Sequence, residues 1–146
     1  MSALDSNHLW LLIEPFAAYG FNKAHAACYG RVAYQTAYMK ANFPVLYMTS
    51  LLSAESGNMD EVSRVISECR RMGIPVLPPD VNESYGDFTV VGKNTASESI
   101  RFGLFSIKNL GTEISSAIIE EREEKGKFTD FTDYLDRVQH KNLNKK

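Results

Sequence analysis

Two groups of residues in this chain have the types and spacing to handle phosphate. The first is Tyr19-Gly-Phe-Asn-Lys23-Ala-His25, which opens into a segment carrying Tyr29, Arg31, Tyr34, Gln35, Tyr38 and Lys40. No carboxylate occurs from Pro15 to Ala54, while Lys23, Arg31, Lys40 and His25 are all present. A stretch that keeps only positive charge suits an anionic ligand, and an ammonium with an imidazole N–H supplies charge-assisted donors for phosphate oxygens. Taken alone, a Lys-x-His pair reads more readily as a capped, solvated turn between helices. Nine of the sixteen aromatics lie between Trp10 and Tyr47, a density that can stack bases or fill a core. Base rates favour the core for most of them.

The second group is Gly103-Leu-Phe-Ser-Ile107-Lys108-Asn109-Leu110-Gly111-Thr112, continuing to Arg122. It predicts a short helix, a tight turn and a second helix starting at Thr112. A glycine lets the chain turn sharply and expose backbone N–H groups, and the orphan donors of a helix N-terminus bind phosphate. Such contacts hold a nucleic-acid backbone without reading its sequence. Asn109 lies in the turn, and asparagine tolerates a left-handed backbone better than most residues. Glu113 in the first turn favours the helix dipole but repels an approaching phosphate. Ala117 is small enough to let the two helices close up, with Ile114 and Ile118 as their packing face. From the residues alone, a plain helical hairpin is the commoner reading of this pattern.

The elements that position these groups are mostly helical. Leu9, Leu12, Ile13 and Phe16 predict a first helix from about Asn7 to Ala18, with Pro15 a local irregularity and Gly20 a breaker. A second runs from about Ala24 to Asn42, because the residue before Pro44 is pushed out of the helical region. It carries a stripe of small residues, Ala26, Gly30, Ala33, Ala37 and Ala41, that lets another helix approach closely. Pro44 opens a third helix reaching about Ser53. The fourth has Asn58 as N-cap, Glu61 completing a capping box, Gly73 as terminator, and Val62, Val65, Ile66, Cys69 and Met72 as its buried stripe. Arg64, Arg70 and Arg71 read as its solvated face. With three prolines in six residues, Ile74 to Pro79 is a linker or an edge strand. A hairpin follows, from Asp87 to Val91 and from Ser99 to Gly103. A last helix, capped by Asp130, buries Phe131, Tyr134, Leu135 and Val138.

At 146 residues, 44% hydrophobic and net −2 with pI near 5.9, the chain lacks the global basicity of a general nucleic-acid coat. Any basic surface is therefore local. It has no apolar run of membrane-spanning length and no basic-then-apolar leader, which points to a cytoplasmic protein without a membrane partner. Cys28 and Cys69 have no CxxC spacing and read as core thiols. Glu120, Glu121, Glu123 and Glu124 read as a solvated helix tail, and no metal ligands are assigned.

With these two motifs, the chain from residue 9 to 146 resembles the C-family replicative DNA polymerases, the bacterial DNA polymerase III alpha subunits. The resemblance implies a mainly α fold with a small β-hairpin. A helical C-terminal fingers segment spans about 1–84, followed by a helix-hairpin-helix module over about 85–146. It implies that Lys23 and His25 bind the triphosphate of the incoming dNTP, with Arg31 as a further nucleotide-binding candidate and Tyr34 and Gln35 on the inner side of the fingers, where they touch the nucleotide or support the loop. Lys108, Asn109, Leu110, Gly111 and Thr112 would hold the backbone of the primer-template DNA. The family's hairpin usually has glycine on both sides of the hydrophobic turn residue, where this chain has Asn109 and Gly111. Nucleotidyl transfer needs carboxylates holding two Mg²⁺ ions about 4 Å apart. In the family these belong to a palm motif upstream, and no Asp-x-Asp occurs here. The resemblance thus implies a catalytically silent piece with no catalytic residue and no Mg²⁺ of its own. Sliding-clamp and other replisome contacts would lie outside it. Lys141 to Lys146 looks like the start of a second hairpin. Two readings compete: a stand-alone, non-enzymatic helix-hairpin-helix DNA-binding module, and a helical interaction domain that binds no nucleic acid.

Overall fold

The computed structural model describes residues 3–17, 23–93 and 98–139. Tyr19 to Asn22 of the first motif and the proposed second hairpin at Lys141 to Lys146 lie outside the described residues. Two compact units are present, Met1–Met39 and Lys40–Lys146. The helices are α1 (Ala3–Ala17), α2 (Lys23–Asn42), α3 (Pro44–Ala54), α4 (Met59–Arg71), α5 (Thr112–Lys125) and α6 (Phe131–Arg137). The strands are β1 (Val76–Leu77), β2 (Thr89–Val91) and β3 (Ser99–Arg101). The protein is therefore mainly α with a small sheet, as its sequence predicts.

α1 starts four residues earlier than the apolar spacing suggests, with Asp5 in its first turn, where a carboxylate complements the helix dipole. Pro15 stays inside the helix, within its last turn. The aromatics of this region correct the expectation of a core: Trp10, Tyr29, Tyr34, Tyr38 and Phe43 are exposed, and only Tyr47 is half-buried among the described ones. On α1 the reason is visible in the sequence, since Leu9 to Ile13 are consecutive and so circle the helix instead of forming one stripe. On α2 every described side chain from His25 to Met39 is exposed, which includes Cys28, expected in the core. The small-residue stripe is open as well, with nothing within 4 Å of a Cβ placed on Gly30.

The larger unit has two cores. Met48 and Leu52 of α3, one turn apart, meet Val62, Val65 and Cys69 of α4, Ile100 of β3, and Ile74 and Phe88, which precede β1 and β2. α4 begins where Asn58 Oδ1 accepts the N–H groups of Asp60 and Glu61. The reciprocal half of the capping box does not form: the Asn58 N–H donates to Glu55 O, and Glu61 turns to Arg64 at 2.6 Å. The helix ends in a Schellman motif, with Gly73 at φ +74°, Ile74 N–H on Cys69 O and Gly73 N–H on Arg70 O.

The sheet order is β1-β3-β2, with β3 antiparallel to β2 and parallel to β1. The proline-rich stretch thus joins as an edge strand, kept to two residues by the missing donors of Pro75 and Pro78. The hairpin of the sequence reading becomes a three-stranded sheet.

The second core joins Leu104, Ile114, Ile118, Phe128 and Val138. On α6, Asp130 caps as expected, accepting the N–H groups of Thr132 and Asp133. Val138 is buried and Tyr134 half-buried, but Phe131 and Leu135 are exposed, because a seven-residue helix presents only one short face to this core.

Contacts cross the expected 84/85 division at many points. Ser84 Oγ donates to Phe102 O and accepts the Asp80 N–H. Asn82 pairs with the Phe128 backbone in both directions, and Glu83 pairs with Arg101. Both flanks of that division lie in one compact unit.

Candidate nucleic-acid interface

The hairpin hangs from a close crossing of backbone. Leu104 N–H donates to Tyr85 O and Phe105 N–H to Gly86 O. A Cβ on Gly103 would lie 2.4 Å from Gly86 O and 2.5 Å from the Asp87 carbonyl carbon. These outward bonds engage the chain just where a first helix would start, and Asn109 at φ +68° stops one downstream. The expected short helix is accordingly a single 3-10 turn, Leu104–Ser106.

The turn closes with Leu110 N–H on Ile107 O at 3.1 Å, and Leu110 and Ile107 pack against the second core. Lys108, Asn109, Gly111 and Thr112 are left exposed on its outer side. The left-handed residue is Asn109; Gly111 is an N-cap with ordinary φ −66° and ψ 149°, no side-chain cap, and nothing within 4 Å of an added Cβ. Neither backbone strain nor internal packing calls for glycine at 111.

α5 is anchored by its inner face, Ile114, Ser115, Ile118 and Arg122. Arg122 is only 8% exposed, although it stands in a charge run that reads as solvated. Its Nη1 donates to Val81 O at 3.0 Å and Ser84 O at 2.8 Å, and the guanidinium lies 5.0 Å from the Tyr85 ring centroid. The signal for its burial was the four-residue spacing from Ile114 through Ile118. Glu121 is likewise half-buried, not solvated. It accepts from Lys125 and Arg137, and the Lys125 ammonium leads in holding its carboxyl below the usual range.

In the smaller unit, helical geometry groups Arg31, Tyr34, Gln35 and Tyr38 on one face of α2. Tyr34 and Tyr38 have ring centroids 6.4 Å apart. His25 sits about a third of a turn away from that face, with its ring 4.3 Å from Tyr29. The side chain of Lys23, the first residue of α2, lies outside the described residues.

Lys40 belongs elsewhere than the sequence suggests. Its Nζ donates to Glu68 Oε1 at 2.8 Å, and Arg71 grips both oxygens of the same carboxylate at 2.7 Å. The Arg71 hydrogen bonds, then that of Lys40, bring the Glu68 pKa from 4.5 down to about 2. A depressed folded-state pKa contributes stability above the unfolded value that is lost as pH falls through the folded one. Thermal unfolding of the wild-type chain against Glu68→Gln should therefore show an advantage that is constant above about pH 5. That advantage should shrink between pH 4.5 and about 2. A difference independent of pH would contradict it.

No group of three or more His, Cys, Asp or Glu suited to a metal ion occurs among the described residues. The glutamate run at 120–124 does not fit the two-metal arrangement, since Glu121 is spent on two cations. Among the described residues, no helix is long and apolar enough to cross a membrane.

Residues 73–146 match the profile of a family described as the helix-hairpin-helix motif. The chain is 49% identical over 142 residues to the DNA polymerase III subunit alpha of Thermus aquaticus, covering 97% of this chain and 11% of that relative. It is 48% identical over 138 residues to the subunit of the same name from Saccharopolyspora erythraea, covering 94% of this chain and 11% of that one. The subunit from Mycobacterium tuberculosis strain H37Rv is 47% identical over 138 residues, again 94% and 11%. The chain spans about a tenth of the length of these curated relatives.

Proposed function

The chain belongs to the helix-hairpin-helix family, and from that premise we propose that it is the part of a replicative DNA polymerase that holds DNA by its backbone and meets the incoming nucleotide. The observation that carries the DNA-holding role is Gly111. Its φ of −66° and the open space around it mean that the fold itself makes no demand for a missing side chain. A glycine at the mouth of α5 does allow a phosphate to reach the first-turn N–H groups, with Lys108 exposed beside it. The dipole of α5 adds attraction, which Glu113 partly offsets. Readout of base sequence is not part of this contact.

The identity to the polymerase subunits continues ahead of residue 73, which favours the polymerase reading over a stand-alone hairpin module. On that reading Lys23 and His25 neutralise and orient the triphosphate of a dNTP, with Arg31, Tyr34 and Gln35 on the adjoining faces of α2. The Mg²⁺ chemistry belongs to carboxylates outside these residues, so the isolated chain extends no primer. Clamp and replisome contacts lie outside it too.

Fluorescence anisotropy with a labelled duplex tests the DNA role. One hairpin should bind no tighter than roughly 10⁻⁴ M, with a salt slope of one to three phosphates. Gly111→Val combined with Lys108→Glu should remove the binding while circular dichroism stays unchanged, because the Gly111 site is open. A titration unaltered by that double change would place the DNA contact elsewhere.

A further inference from the structure

Phe105 belongs to neither core. Leu104 is part of the second core and Ile107 and Leu110 pack against it, while Phe105 is 42% exposed. The reason is a run of hydrogen bonds three residues apart: Ser106 N–H on Gly103 O, Ile107 N–H on Leu104 O and Leu110 N–H on Ile107 O. At that spacing every third residue shares a side. Leu104, Ile107 and Leu110 take the inner side, and Phe105, Lys108 and Gly111, each one residue later, are all exposed.

The ring is nevertheless seated. One edge lies on Gly86, which is buried: a Cβ there would come within 2.2 Å of Cε2, 2.6 Å of Cζ and 2.7 Å of Cδ2 of Phe105. The Phe105 N–H donates to Gly86 O at 2.9 Å and ties the same two residues through the backbone. The missing side chain at 86 thus makes room for a phenyl ring whose remaining surface stays in water.

The charges nearby are mixed. Lys108 shares the exposed side, but Asp87 follows Gly86 and Glu113 stands in the first turn of α5. Phosphate is therefore not what the ring itself would meet. The sugar between two phosphates is neutral, and its C–H groups offer apolar surface to a ring.

On the DNA-holding reading of the Gly111 turn, we infer that Phe105 packs against the deoxyribose next to the phosphate held there. Continuity with that turn selects the sugar over an unrelated apolar partner, since Phe105 is three residues from Lys108 and six from Gly111 on one exposed side. The contact adds affinity for the duplex without reading its bases.

The test uses the ¹³C,¹⁵N-labelled 146-residue chain and a short duplex at low salt. Nuclear Overhauser effects should connect the Phe105 ring protons to protons of the deoxyribose. Phe105→Ser should weaken duplex binding about fivefold, the loss expected for uncovering half a phenyl ring, and Phe105→Tyr should keep the wild-type affinity. Tripolyphosphate, which carries the charge without a sugar, should shift the Gly111 amide equally in the wild-type and Phe105→Ser chains. The sugar contact is overturned by a duplex titration indifferent to Phe105→Ser while the Gly111 amide still shifts, which leaves the phosphate grip standing alone. Equal losses for duplex and tripolyphosphate also overturn it, making the ring a support of the turn. A duplex that moves no amide between Lys108 and Ile114 removes the sugar contact and the phosphate grip together. Should Phe105→Ser fail to fold, the ring-to-sugar effects in the wild-type chain decide: their presence supports the contact and their absence overturns it.

Discussion

Gly103→Ala is expected to destabilise the 40–146 unit by about 3 kcal/mol, at the upper end for overpacking a closed site. The backbone conformation there, φ −80° and ψ 145°, is one that alanine adopts freely, so the whole cost is steric. The added carbon would sit 2.4 Å from Gly86 O and 2.8 Å from Asp87 Cα, atoms of backbone that cannot rotate away. Separating them would also stretch the bonds from Leu104 and Phe105 that fix the hairpin to the chain at 85–86. Gly111→Ala is the internal control: with open space and an ordinary φ it should be neutral, or stabilising by about 0.4–1 kcal/mol through the unfolded state. Urea unfolding of the two variants measures both. Equal midpoints would mean that the crossing at 86 and 103 does not hold the hairpin.

The second large effect belongs to the nucleotide role and is read in a full-length polymerase carrying this segment. Lys23→Ala should weaken nucleotide use by roughly 1.5–3 kcal/mol, the range for a hydrogen bond to a charged group, with primer-template binding nearly unchanged. His25→Ala should act more on the chemical step than on binding, since an imidazole donor near the departing pyrophosphate gains importance as charge develops there. Wild-type single-turnover rates and nucleotide affinity in both variants would leave the Lys23 to His25 segment a structural turn.

The parts of this fold that were legible in the sequence are those decided within one turn of chain. Asn58 and Asp130 as caps, Gly73 as terminator, and Asn109 as a left-handed turn residue all follow from local chemistry, and each appears where its residue type predicts. What escaped was decided by distant chain. Arg122 stands among glutamates and a lysine, and only the fold of residues 81–85 around it supplies the two carbonyls and the aromatic ring that make its burial tolerable. Lys40 belonged by sequence to a carboxylate-free stretch; its carboxylate comes from α4. Gly103 gave no signal beyond being a glycine, since the reason for it is the backbone of Gly86 and Asp87 lying across it. In the hairpin the left-handed residue is Asn109, as its type allows, while Gly111, expected to share the turn, keeps an ordinary backbone and is left without a duty inside the fold.

That vacancy of duty is the centre of the functional proposal, and amide-resolved titration of the ¹⁵N-labelled chain with a short duplex at low salt tests it most directly. The account predicts that the backbone amides of Gly111, Thr112 and Ile114 shift first and furthest, together with Lys108. The shifts should follow duplex concentration but not duplex sequence, and they should fade as salt rises. Shifts confined to α2, or a duplex that moves no amide between Lys108 and Ile114, would contradict it.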